Sequence, residues 1–464
     1  MERRMNNLTI PQQLARMDRD RMRRYTGNLA FYNGEQWQSR ATRGEKHLTF
    51  NYAKALVDKT TSYLMSGMSF ALDPMEEGDQ ARERARSAEK ALYQVYQDNN
   101  LQALDFDTEI DCAVLGDAVY KVTWDIKDRR VKVTAPDVQG LYAWWLPDDV
   151  TYVYRVASRY KLAADEVEVL YPSLKGKPTG NRVEVVEVWS DRTFELWIDN
   201  ERVTNNPNPY GFIPFIIFPN LRQPKKFWGI SDIPLIMEGQ RELNRALSQL
   251  SRILELSGNP IAVLENIEAS EDIAVQPGAV WNIPEDARAY LLDLLQGGGV
   301  RLHIDYIELL YRTLHDISES PRAAFGTTER DLSGVALEIE MQPLLQKVRR
   351  KRLIRTAVYK RRNEMVLALI ERFTGVSFGP LSHRIIWGPV LPLDRQRQVS
   401  NEVQLIQSGV HSRKRAMEEM GIPDPETEFD DWLEERKRIL QMNRELNARS
   451  SGPAMSKVEG AESV

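Results

Sequence analysis

The chain has 464 residues, 42% of them apolar, which allows real buried cores and roughly three domains on the usual length scale. Its 62 Lys and Arg stand against 67 Asp and Glu, and the net charge of -5 excludes a uniformly basic coat for nucleic acid, so any DNA contact is local. A single cysteine, Cys112, excludes an intrachain disulfide framework and a multi-thiolate metal site. It reads as core filler in a protein made in a reducing compartment. Met1 to Ile10 lacks the apolar stretch of a secretory signal, and no apolar run approaches the ~18 residues of a membrane span, so a soluble, non-secreted chain is expected.

The first fifty residues scatter Arg3, Arg4, Arg16, Arg19, Arg21, Arg23 and Arg24 among polar neighbours before a break at Tyr32, Asn33 and Gly34, which predicts a surface helix and a loop. Phe50 to Ser66 reads as an amphipathic helix, with Ala53, Leu56, Thr60 and Tyr63 on one face and Gly67 ending it. Charge-rich Asp79 to Asp98 and then Leu101 to Leu115, closed by Gly116, predict two more helices. The period then changes. Tyr120, Val122, Trp124 and Ile126 alternate with polar residues, and Val131 and Val133 resume the pattern as a hairpin. Val150 to Val156, Arg182 to Trp189 and Phe194 to Val203 continue the strands, and Pro214 confines Phe212 to Phe218 to a sheet edge. Residues 117 to 220 thus read as a mostly β module on the N-terminal helices.

Ser231, Asp232 and Pro234 read as the start of a helix running to Ser257 and Gly258, with a narrow apolar seam of Leu243, Leu247, Leu250 and Leu254. A compact insert follows, with strands expected at Pro260 to Leu264 and Ala279 to Ile283 and closure at Gly297, Gly298 and Gly299. A second seamed helix, carrying Ile307, Leu310, Leu314 and Ile317, starts near Val300 and stops by Pro321. Arg322 to Ser333 is a loop, after which Leu337, Met341, Leu344 and Val348 open one long helix to about Phe373, roughly 50 Å in length. Gly375 to Pro392 reads as an extended linker. Asp394 to Gln407, Ser412 to Met420 and Pro425 to Arg449 are three C-terminal helices, and the tail from Ser450 has the composition of a disordered segment.

No catalytic motif emerges. The five histidines, His47, His303, His315, His383 and His411, never pair at helical ligand spacing, and His303 with Asp305 is read as a solvated helix position. Gly297 to Gly299 lacks the Lys and hydroxyl of a phosphate loop, and Gly176, Lys177, Pro178, Thr179 and Gly180 read as a plain turn. Trp124, Trp189 and Trp197 are expected in cores. The strongest charge cluster runs from Lys347 to Arg362. For Lys347, Arg350, Lys351 and Arg355, phosphate contact stays open beside pairing, between subunits or within the chain.

Four local signatures occur in order: Phe50 to Asp58 with Tyr63 to Gly67, Gly229 to Ile233 with Asn244 and Ser248, Ser333 to Leu337, and Gly409, Val410 and Ser412 before Met420 and Gly421. Their order resembles the portal proteins of tailed bacteriophages, in particular those of long-tailed phages. The resemblance spans residues 25 to about 440. It implies an α+β portal fold with a helical stem, a mixed α/β wing, a small β-containing clip and a helical crown, assembled as a ring, commonly a dodecamer. Mapped on this chain it implies an arm at 1–24, a wing at 25–230 and 335–379, stem helices at 231–258 and 300–320, and a clip at 259–299. A tunnel loop falls at 321–334, a crown at 380–449 and a tail at 450–464. It further implies a channel through which viral double-stranded DNA is packaged and ejected, with Phe325, Thr327, Thr328 and Arg330 approaching the DNA and the eight seam residues packing the stem. Its implied partners are other copies of the chain, terminase, head-completion or adaptor proteins, scaffolding protein and major capsid protein. It implies no enzymatic activity, cofactor or membrane, and a place at the portal vertex of a virion after synthesis in the host cytoplasm. Two rivals remain: a DNA-binding or DNA-processing enzyme using the 347–362 helix, and another head-tail adaptor.

Overall fold

The computed structural model describes residues 8–40, 46–171, 182–258, 261–265, 288–292, 299–326, 334–391, 395–422 and 424–450. The chain begins with α1 (Ile10–Leu14), α2 (Arg19–Tyr32), α3 (Tyr52–Leu64), β1 (Met68–Pro74), α4 (Asp79–Asp98) and α5 (Leu101–Leu115). The β-rich part comprises β2 (Asp117–Asp125), β3 (Arg130–Thr134), β4 (Leu141–Trp145), β5 (Val153–Ala163), α6 (Ala164–Leu170), β6 (Arg182–Trp189), β7 (Thr193–Ile198), β8 (Glu201–Pro207) and β9 (Phe215–Pro219). Then come α7 (Met237–Gly258), β10 (Ile261–Glu265), β11 (Arg288–Leu292), α8 (Gly299–Ile317), α9 (Gly334–Glu340) and α10 (Gln342–Thr374). The chain continues with β12 (Leu381–Trp387), α11 (Arg395–Gln407), α12 (Arg413–Glu419) and α13 (Pro425–Ser450).

Among the described residues all strand pairs are antiparallel, and the mixed composition is that of an α+β protein. A three-stranded sheet has the order β3-β2-β9 and a five-stranded meander runs β4-β5-β6-β7-β8, while β10 with β11 and β1 with β12 form ribbons. Pro214 sits just before β9, which is an edge strand as expected, because proline cannot extend the ladder. Gly116 caps α5 in the left-handed region at φ 106°, and a side chain there would meet the Ser231 nitrogen at 2.8 Å, so only glycine fits this turn.

Two compact units result: Met1–Met65 with Lys90–Phe378, and Ser66–Glu89 with Gly379–Val464. In the first, the central core takes Tyr25 and Phe31 from α2, Leu56 and Val57 from α3, Val114 from α5, Val119 from β2, Leu243 from α7 and Leu314 from α8. In the second, β1 pairs with β12 from Met68 opposite Trp387 to Pro74 opposite Leu381, and Arg384 grips Asp73 at 2.6 Å. Trp432 of α13 is flanked by the guanidinium groups of Arg413 and Arg436 at 4.4 and 5.1 Å from its ring.

Several expectations change. α2 is no surface helix: Arg21 is buried, donates to the Leu141 carbonyl at 2.7 Å, pairs with Asp18 at 2.9 Å and lies 3.6 Å over the Trp228 ring. The linker expected after Gly375 contains β12, whose partner β1 lies some three hundred residues earlier, so residues 66–89 group with the C-terminal helices. β4 was not foreseen, and α7 starts at Met237, later than Ser231 and Asp232, whose side chains are committed elsewhere. The long helix breaks at Met341 into α9 and α10. Pro343 sits in the first turn of α10, where its missing N–H costs nothing, whereas a continuous helix would set its ring against a preceding carbonyl. In the insert the partner of β10 is β11; the strand expected at Ala279 to Ile283, the turn at Gly176 to Gly180 and the tail after Ser450 lie outside the described residues.

Candidate functional site: a helical hairpin and its ion-paired root

α7 and α8 pack together along the expected seams, but only over part of their length. Leu243 and Leu314 are buried in the core, and Leu247, Ile307 and Leu310 pack against it. Gly239 permits this closeness, since a β-carbon there would meet Leu314 at 3.0 Å. Leu250 is half-buried, whereas Leu254 and Ile317 are 53% and 46% exposed, so the pairing within one chain does not cover them. α8 also bears a second apolar stripe, Leu302, Tyr306 and Leu309 at steps of four and three, with Leu302 72% and Leu309 59% exposed. A stripe at this spacing occupies one face beside the buried one; Tyr306 donates its hydroxyl to Glu242 of α7 at 3.1 Å, and Leu302 and Leu309 stay exposed on either side.

A second face of α7 is polar and buried. Gln240, Asn244 and Ser248, spaced by four, line up under the extended segment before α3. The Leu48 N–H donates to Ser248 Oγ at 3.1 Å, the Phe50 N–H to Asn244 Oδ1 at 3.0 Å and the Ala53 N–H to Gln240 Oε1 at 3.2 Å, while Gln240 Nε2 donates back to the Phe50 carbonyl at 2.7 Å. Asn244 Nδ2 donates to Gln36 Oε1 at 2.7 Å and closes the network. The sequence carried Asn244 and Ser248 only as part of a resemblance; the four-residue polar spacing was the signal for the clasp. Asn244→Ala leaves the Phe50 N–H without its acceptor and Gln36 without its donor. We expect a loss of about 1–3 kcal/mol in urea unfolding.

The root of the hairpin is fixed by charge. Lys347, Lys351, Arg355 and Arg362 follow one face of α10 and are all buried. Lys347 Nζ donates to the Ser318 carbonyl at 3.0 Å and lies 3.5 Å from Asp232, which Lys351 meets at 2.6 Å. Arg355 forms a two-pronged pair with Glu109 at 2.6 and 2.8 Å, and its remaining nitrogen donates to the carbonyls of Pro219 and Asn220. Arg362 grips Asp105 in the same manner. Lys347, Lys351 and Arg355 are each engaged within the chain by a carboxylate far away in sequence, the intrachain pairing that the sequence left open beside phosphate contact. Arg350, half exposed, donates to both carboxylate oxygens of Glu319 at 2.8 and 2.6 Å, also within the chain.

Burial alone would raise the Asp232 carboxyl, but Lys347 and Lys351 outweigh it and hold the group well below the usual range. A depressed folded-state value contributes stability that is complete above the unfolded value near 3.8 and is lost as the pH falls below it. Asp232→Asn should accordingly flatten the acid limb of the stability-pH curve below about pH 4 while lowering stability at neutral pH. Acid titration of the unfolding midpoint reads both effects.

Beyond α8 the chain turns through buried Ser318 and Ser320. His315 Nδ1 lies 2.6 Å from the Ser320 carbonyl, and Thr60 Oγ1 lies 3.3 Å from Ser320 Oγ. Phe325 then joins a line of rings: Tyr52 meets Tyr311 at 5.0 Å, Tyr311 meets His315 at 4.5 Å and His315 meets Phe325 at 5.4 Å. Burial lowers the His315 pKa, favouring the neutral ring within this stack. Phe325 thus packs at the edge of the core, at the end of a short helical turn, Arg322–Phe325. Thr327, Thr328 and Arg330 lie outside the described residues.

Among the described residues no group of His, Cys, Asp and Glu is arranged to hold a metal ion, and Asp305 pairs with Arg301 at 3.1 Å, not with His303. Cys112 is fully buried, and burial pushes its thiol up, against any nucleophilic role. No described helix is long and apolar enough to cross a membrane. What the hairpin offers is a largely exposed apolar stripe on a helix pair rooted by buried ion pairs.

A family profile described as "Phage portal protein, SPP1 Gp6-like" matches residues 11–442. The chain belongs to that family, the portal proteins of tailed phages, whose role is structural and not enzymatic. No curated protein matches the sequence.

Proposed function

We propose that copies of this chain close into a ring at one capsid vertex, with α7 and α8 as its stem and a central channel through which viral double-stranded DNA is packaged and ejected. The observation that carries this is the second stripe of α8 on a chain of the portal family: Leu302 and Leu309 are exposed, and between them the Tyr306 ring is partly exposed while its hydroxyl donates to Glu242 at 3.1 Å. A neighbouring copy packed against the hairpin covers them, and repeated around an axis such a contact closes a ring. In this assignment the ribbon of β10 and β11 belongs to the clip that meets terminase and later the head-completion proteins. The sheets with α9 and α10 form the wing, and α11 to α13 the crown. Scaffolding and major capsid proteins surround the vertex. The chain itself catalyses nothing; packaging energy comes from the terminase. A DNA-processing enzyme built on the 347–362 helix is disfavoured, because its central cations are buried in ion pairs.

Thr327, Thr328 and Arg330 are assigned to the tunnel loop, with the Phe325 stack as its anchor. Deleting 327–330 and keeping Phe325 should leave ring assembly intact and sharply reduce DNA-filled heads. Counting filled and empty heads by electron microscopy checks this; normal numbers of filled heads would remove the loop from the packaging path.

A further inference from the structure

The free flank of β9 is an unprotected strand edge along a groove of mixed apolar and polar walls. The Asn220 N–H donates to the Gly116 carbonyl at 2.8 Å and the Val122 N–H to the Pro214 carbonyl at 2.9 Å. Both bonds belong to the β2–β9 register, in which Ala118 faces Phe218 and Tyr120 faces Ile216. Antiparallel hydrogen-bonded pairs recur every second residue, so on β9 the even positions bond to β2, and Phe215 and Ile217 turn their N–H and C=O groups to the opposite flank. No strand pairs there, and among the described residues no backbone bond satisfies these four groups; the next outward carbonyl, that of Pro219, is taken by Arg355 at 2.8 Å. Unpaired backbone groups along one strand are a template for another.

The other open edges of these sheets are guarded. β3 carries Arg130 and Lys132, β8 carries Glu201 and Arg202, and β4 is irregular between Trp144 and Trp145. β9, Phe-Ile-Ile-Phe-Pro, has no charge at all. Along it run two adjoining cavities of about 410 and 620 Å³ that share Thr151, Val153, Ile217 and Arg361. Leu353 of α10 and Phe227 contribute apolar wall to the larger one, and Arg222 lies at its margin with no ion pair among the described residues.

We infer that this groove binds an extended segment of a second, different protein, which adds a strand to β9 through the backbone groups of Phe215 and Ile217. The segment is apolar at alternate positions, to suit the walls, and carries an acidic residue for Arg222, since Arg361 is already paired with Glu364 at 3.2 Å. This proposal does not depend on the ring: it concerns another face of the same unit and survives if the chain proves monomeric.

The test uses the full-length protein and a fluorescein-labelled hexapeptide of alternating valine and threonine with one terminal glutamate, beside the same peptide N-methylated at alternate amides. Saturable binding by fluorescence anisotropy, weakened at least about tenfold by N-methylation, supports strand addition, since methylation deletes the backbone donors and keeps the side chains. Ile217→Pro removes one outward donor while leaving the flank toward β2 intact, and should weaken binding to a similar extent. If that variant misfolds, the methylated peptide on the unaltered protein still decides. No binding, or equal binding of both peptides, would overturn the proposal. Binding that appears only after removal of residues 451–464, or only in dissociated subunits, would overturn it too, by showing that the chain's own tail or a second copy fills the groove.

Discussion

Replacing Arg355 by Met should lower the stability of the folded chain by about 3–5 kcal/mol, the largest effect expected of any single substitution considered for this protein. The magnitude follows from what remains. Arg355 is fully buried and faces Glu109, itself buried, so its removal strands a carboxylate among apolar neighbours and frees the carbonyls of Pro219 and Asn220. Removing both charges is a different matter, because two desolvation penalties disappear with the attraction that offset them. Glu109→Leu combined with Arg355→Met should regain most of the loss, short of the two carbonyl hydrogen bonds. Urea unfolding of the single and double variants reads the difference directly. A single variant within about 1 kcal/mol of the unaltered protein would mean that α10 is not keyed to α5 by this pair.

The second large effect concerns assembly. Leu302→Asp with Leu309→Asp should abolish the ring while the subunit stays folded, since both side chains are exposed in the chain by itself. Fully burying a leucine contributes about 1.5–3 kcal/mol, and each 1.4 kcal/mol is a factor of ten in association. Two carboxylates placed in such an interface should therefore weaken each subunit contact by at least about a hundredfold. Sedimentation should show single subunits with an unchanged unfolding midpoint. Intact rings from the double variant would locate the subunit contact elsewhere.

Much of the fold was legible because local pattern and tertiary structure agree. α4, α5 and β6 have the expected limits, as their periodicity is interrupted at residues such as Gly116 that cannot continue it. What escaped depends on distant partners. β1 is seven residues long, and nothing in Met68–Pro74 announces that its complement is Leu381–Trp387. For the run from Lys347 to Arg362 the sequence left phosphate contact open beside pairing, and only the distant carboxylates Asp232, Glu109 and Asp105 show which cations pair within the chain. The same limit applies to the site. The seams of α7 and α8 were visible as spacing, but which leucines face the partner helix and which face outward is a matter of packing: Leu243 and Leu314 are covered, Leu254 and Ile317 are not. Phe325 was drawn into the loop by its polar neighbours, whereas its ring follows the aromatic line set by His315 and Tyr311.

The ring itself is most directly tested by native mass spectrometry of the purified full-length protein, with negative-stain images of the same sample. The portal assignment predicts one closed assembly with a mass at an integral multiple of the 53.5 kDa subunit and a central hole in end-on views. A stable monomer under all solution conditions, or an open filament without a closed ring, would contradict it.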